Sequence, residues 1–144
     1  MTDSNPNEPW NQRPDVAKEE EAAMEELAAR VFGAARGGDA EMLASYVDAG
    51  LPVDLANDSG DTLLMLSAYH GHLASVQVLL KRGADANRAN DRGQTPLAGA
   101  VFKNEPEIAR ALLDAGADPD AGTPSATDTA RMFGKEDMLS RPAG

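Results

Sequence analysis

The chain has 144 residues, a length that a single domain fills. Hydrophobic residues make up 42% but aromatics only 4%, so a core must come from Ala and Leu rather than from rings, which favours helices. Thirteen Lys and Arg stand against 24 Asp and Glu, and the formal charge of −11 opposes unspecific binding to nucleic-acid phosphates or an anionic membrane, while the absence of cysteine removes disulfides, thiol nucleophiles and thiolate metal sites.

Residues 1–14 set Pro6, Pro9 and Pro14 among Asn, Asp and Ser without helical or strand period, and read as a disordered tail. Trp10 is its one sticky residue, either mobile with the tail or docked on a surface. The start lacks the basic and apolar pattern of a signal peptide, and no run of about 18 apolar residues occurs. The expectation is a soluble, cytoplasmic protein. From Asp15, a candidate N-cap, Met24, Leu27, Ala28, Val31, Phe32 and Ala35 recur at helical spacing, giving one long amphipathic helix that Gly37-Gly38 ends. Its early acids, Glu19, Glu20, Glu21, Glu25 and Glu26, suit the positive end of the helix dipole. Acidity is concentrated at the front: residues 1–57 hold 4 basic and 12 acidic residues, and residues 58–144 hold 9 and 12.

Beyond this helix the chain repeats itself. A shift of 33 residues lays Gly50 on Gly83 and Gly116, Gly38 on Gly71, Gly60 on Gly93, Thr62 on Thr95 and Leu64 on Leu97. Thr62 and Thr95 are placed to cap short helices, with Pro96 at a first helical position where its missing N–H costs nothing. Gly71 and Asn104 sit where the chain must reverse, and both residue types tolerate a left-handed backbone. Second helices follow at Leu73–Lys81 and Glu105–Asp114, ended by Gly83 and Gly116, and an Asn/Asp/Gly-rich stretch then leads to the next unit. Each unit is helix, turn, helix, hairpin-like loop.

These residues resemble the ankyrin repeat. Gly60-x-Thr62-x-Leu64, Gly71-His72, Val78-Leu79-Leu80 and Gly83-Ala84-Asp85-x-Asn87 follow its motif, as do Gly93-x-Thr95-Pro96-Leu97 and Leu112-Leu113-x-x-Gly116-Ala117-Asp118. The resemblance implies an all-α solenoid of helix-turn-helix units joined by hairpin-like loops. It gives a disordered tail over 1–14, a repeat domain over 15–140 with repeats near 24–56, 57–89, 90–122 and 123–140, and a tail over 141–144. The last repeat is offset by 63 rather than 66 residues, so that Ser125 and Gly134 replace Thr62 and Gly71 after a three-residue deletion in the preceding loop. Where the family carries a His bonded to the Thr, this chain has Met65, Ala98 and Asp128, so that tie is absent and stability rests more on packing. The first and last repeats are atypical, as the ends of such arrays are.

Candidate chemistry is sparse. His70 and His72 are the two histidines; His72 begins a second helix in the motif, and no third metal ligand is suggested. The Asp/Asn loops lack calcium-loop spacing, Arg36-Gly37-Gly38 is not a phosphate loop, and no nucleophile turn is present. No catalytic, cofactor or metal residue is assigned.

The resemblance instead maps variable surface positions onto Arg36, Asp58, Ser59, Asp61, Tyr69 and His70, then Asp91, Arg92, Gln94, Phe102 and Lys103, and finally Met132 and Phe133. Tyr69, Phe102 and Phe133 suggest an aromatic stripe, which either anchors an interface or packs between neighbouring first helices. The expected function is non-enzymatic binding of another protein through the concave face, as adaptor, inhibitor or stabiliser, with Asp58, Asp61 and Asp91 selecting a partner with a basic patch. A structural subunit of an oligomer and a His-dependent metal enzyme are the alternatives, a monomer is favoured, and the Ala/Asp/Gly/Arg-rich composition suggests a bacterial source.

Overall fold

The computed structural model describes residues 14–140. Trp10 and the rest of the tail over 1–13 lie outside the described residues, as does 141–144. The chain divides after Arg30 into two compact units.

The opening helix, α1 (Pro14–Gly37), already includes Pro14, so Asp15 lies in its first turn rather than at its cap. Proline suits that place because first-turn N–H groups have no partner within a helix. In the first unit Glu19, Glu20, Glu21, Glu25 and Glu26 are exposed, while Leu27 and Ala28 are half-buried.

In the second unit the last turns of α1 bury Val31, Phe32, Ala34 and Ala35. Six more α-helices follow: α2 (Ala40–Asp48), α3 (Leu63–Tyr69), α4 (Leu73–Lys81), α5 (Pro96–Phe102), α6 (Pro106–Asp114) and α7 (Ala126–Phe133). A short 3-10 helix at Glu136–Leu139 stands where a second helix of the last repeat would be. No β-strand is formed among the described residues, and the loops show only isolated bridges, Ala56 to Thr62 and Gly122 to Ser125.

The caps follow the sequence. Thr62, Thr95 and Ser125 each accept a hydrogen bond from the backbone N–H three residues on, at 3.1, 3.2 and 3.1 Å. Asp39 does the same for α2. Gly71 (φ 79°) and Asn104 (φ 60°) both adopt the left-handed turn between paired helices. The second of those helices starts at Pro106, one residue later than its spacing suggests, because Glu105 takes the cap position.

Two rows of helices result. Helix α5 packs between α3 and α7, and α4 packs between α2 and α6, while α3 lies on α4 and α5 on α6. The core repeats with the sequence: Val31, Leu64 and Leu97 are fully buried, and so are Leu43, Val76 and Ala109 in the other row. Removing one of these leucines leaves a cavity in a packed interior and costs about 2–5 kcal/mol.

Loops tie each repeat to the next. Asp54 accepts the N–H of Asp85, and Asn87, its counterpart one repeat later, accepts that of Asp118. At the tips Asp91 N–H donates to the Ser59 carbonyl and Thr123 N–H to that of Gly93. These bonds stand where no Thr–His tie is available.

Candidate interaction surface

The row of α3, α5 and α7, with the loop tips beside it, carries most of the expected site. Helix α3 presents Tyr69 at its last residue and His70 at its C-cap, and α5 presents Phe102 and Lys103 at the same two places. The last repeat breaks the pattern by one residue. Since Gly134 takes the place of Gly71, Met132 is the counterpart of Tyr69 and Phe133 that of His70. Phe133 still joins the stripe, meeting Phe102 edge-on with ring centres 5.7 Å apart.

The rings are neither free nor fully packed. Tyr69 is 37% exposed, Phe102 52%, Phe133 50% and Met132 66%. Lys103 sets its Nζ 5.0 Å from the Tyr69 ring centre, and His70 meets Tyr69 edge-on at 5.5 Å. Lys135 stands 5.6 Å from the Phe133 ring centre and reaches the Val101 carbonyl. Apolar faces held open in this way lose contact with water only when something else covers them.

Two hollows meet here. The first, about 380 Å³, brings Arg36, Tyr69 and His70 together with Ser59, Asp61, Arg92 and Gln94 from the loop tips. The second, about 290 Å³, lies between Tyr69 and Phe102 and is floored by Met65, Ala98 and Gly99, with Pro124 and Thr129 at its far side. Met65, Tyr69 and Gln94 line both. Asp58, Asp91 and Met132 line neither, although all three are exposed.

Charge on this face is sorted by bonding. The Asp61 carboxylate accepts from Asn90 Nδ2 at 2.8 Å. Asp91 rests its carboxylate where a side chain on Gly60 would otherwise stand. Neither the Arg36 nor the Arg92 guanidinium has a carboxylate partner, and the one ion pair among the described residues is Arg82 with Asp48, at 2.9 Å on another part of the unit. That bond from Arg82 holds the Asp48 carboxyl below its usual range. His70 is held below the ordinary histidine value first by partial removal from water and then by the positive charges of His72, Arg36 and Lys103.

The other histidine has a structural task. A carbonyl only accepts, so His72 Nε2 donates to the Arg36 oxygen at 2.6 Å. Its ring fills the space above Gly38, where a Cβ would come within 2.5 Å of Nδ1. Glu105 occupies the matching space above Gly71. Among the described residues no three His, Cys, Asp or Glu side chains cluster as metal ligands would, and no helix is long and apolar enough to cross a membrane.

A family model of three ankyrin repeats matches residues 31–123, well over half the chain. The chain belongs to the ankyrin repeat family. An ankyrin repeat protein of Pseudomonas aeruginosa is 41% identical over 54 residues, which are 38% of this chain and 32% of that protein. Ankyrin repeat domain-containing protein 29 of Homo sapiens is 42% identical over 62 residues, 42% of this chain and 21% of that protein. The matches thus span less than a third of either relative. Ankyrin repeats are generally protein–protein interaction modules rather than enzymes.

Sequence reasoning missed the floor of the second hollow. Two of its residues, Met65 and Ala98, stand where ankyrin repeats usually carry the histidine, so the departures from the motif marked the place. Gly99 gave another signal: glycine inside a helix costs about 1 kcal/mol relative to alanine, and this one has negative φ and no turn to make. A Cβ there would come within 3.4 Å of the Met65 methyl and 3.7 Å of the Tyr69 ring.

Proposed function

We propose that this ankyrin repeat protein binds a partner protein through the face formed by α3, α5, α7 and the loop tips, as an adaptor, inhibitor or stabiliser. The supporting observation is the half-exposed stripe of Tyr69, Phe102 and Phe133 running beside two adjoining hollows. Half-exposed aromatic rings fringed by polar groups are the usual composition of interface anchors, because they bury large areas at little cost in side-chain freedom. Arg36, Ser59, Arg92, Gln94 and Lys103 surround the rings and supply the polar rim, with Asp58 and Met132 at its edges. The two histidines serve this surface and its turn rather than a reaction.

The test is an affinity capture from native cell extract, with the full chain and a folded Tyr69→Ser/Phe102→Ser variant as baits and mass spectrometry as readout. A protein retained by the first and lost from the second carries the reading. Equal capture by both baits would place the interface elsewhere.

A further inference from the structure

The polar hollow, unlike the chain as a whole, is lined by more positive than negative side chains, Arg36 and Arg92 against Asp61. Of the acids on this face, Asp58 and Asp91 stand outside the hollow and the one that lines it, Asp61, is engaged by the Asn90 amide, whereas the guanidinium groups of Arg36 and Arg92 both border the hollow without a carboxylate partner. Lys103 adds a third positive charge beside Tyr69. On a chain of formal charge −11 such a cluster repels nothing acidic locally and is poorly suited to the basic partner that the loop-tip aspartates suggest. The apolar hollow adjoins it, sharing Met65, Tyr69 and Gln94.

We infer that the occupant is an acidic, apolar-anchored segment of a partner protein, which sets a carboxylate between Arg36 and Arg92 and an apolar side chain between Tyr69 and Phe102. Guanidinium groups suit this task because their planar forks pair with carboxylates through two hydrogen bonds. His70 is lowered chiefly by partial removal from water, and the charges of His72, Arg36 and Lys103 add to it in the same direction. This inference rests on the reading of the face as a protein-binding surface, and the experiment separates the two.

The probe is a displayed library of random peptides of about twelve residues, selected on the full chain, a length that spans one groove in an extended form. Enriched peptides are expected to combine Asp or Glu with Leu, Phe or Trp. Their affinity, followed by fluorescence anisotropy, should fall about tenfold or more in Arg36→Glu/Arg92→Glu and should weaken as salt rises from about 50 to about 500 mM. Both arginine side chains lack internal partners, so an unchanged melting curve will show that the variant is folded. Basic or uncharged peptides that lose affinity only in Tyr69→Ser/Phe102→Ser would overturn the acidic occupant and leave the face standing. Peptides indifferent to both variants, or no enrichment at all, would overturn the face as well. Tighter peptide binding after Glu8→Gln/Trp10→Ser would replace the partner by the chain's own N-terminal segment, and concentration-dependent sedimentation abolished by the arginine variant would replace it by a second copy.

Discussion

Two buried hydroxyls, Ser67 Oγ in α3 and Ser75 Oγ in α4, have no hydrogen-bond partner. A buried, unsatisfied hydroxyl costs about 1–3 kcal/mol, and the counterpart of Ser67 one repeat later is the equally buried Ala100. Ser67→Ala should therefore stabilise the protein by about 1 kcal/mol and raise its melting temperature by about 4 °C in a calorimetric scan. His70 offers a second measurement at this scale. Its folded value is below the ordinary 6.5, so the unfolded chain binds the proton more readily. The stability this contributes is fully present above the ordinary value and is lost as pH falls through the lowered one. An NMR titration should find the imidazole below its ordinary value, and Lys103→Met should move it upward by removing one of the repelling charges. An unshifted curve in that variant would mean that Lys103 does not act on the ring. Single residues were also where the sequence was easiest to read: Thr62, Thr95, Ser125, Gly71 and Asn104 all do what their chemistry suggests. The free or bonded state of Asp61 was not legible, because its partner Asn90 is 29 residues away and loop side chains choose partners only once the repeats have docked.

Among the elements, helix α5 shows how local economy yields to the surface it builds. Gly99 lowers helix propensity yet keeps the floor of the apolar hollow open. Gly99→Ala should stabilise the protein by up to about 1 kcal/mol, since the flexible Met65 methyl can yield to the added Cβ, while weakening partner or peptide binding. Denaturant melts and anisotropy on the same sample check both halves, and a tighter complex would refute the role given to that glycine. The loop between α4 and α5 depends on Asn90, whose Oδ1 accepts from Arg92 and Gln94 N–H and whose Nδ2 reaches Asp61 and Gln94. Asn90→Ala should cost about 2 kcal/mol, because several partly buried bonds vanish together. The paired helices could be read from the 33-residue period, but the shortened second helix of the last repeat could not. Nothing in Glu136–Leu139 opposes an α-helix as such, and the 3-10 turn that forms there packs on α6 and α7.

For the whole molecule, contacts run between neighbouring repeats, so stability should vary along the array rather than act as one block. Helices α4 and α5 each lie between two other helices of their row, whereas α7 has α5 on one side and the 3-10 turn beside it. Native-state hydrogen exchange should accordingly protect α4 and α5 most and α7 least; uniform protection would show a single cooperative unit. The exposed Asp48–Arg82 pair adds a pH dependence of known sign: its contribution exists above the usual carboxyl range and fades as acid protonates Asp48. The loop bonds through Asp54 and Asn87 have one more consequence. Each joins a side chain to a main-chain N–H, a group that any successor other than proline offers. The array can therefore lengthen from within, by duplication of a unit such as 57–89, without a matching change in the neighbour. At the last junction the tie changes kind, because Asp120, the counterpart of Asn87, accepts from the Thr127 hydroxyl of the following repeat, a side chain rather than a main-chain N–H. Duplication is thus indifferent to sequence at the middle junctions and tied to a particular side chain at this one.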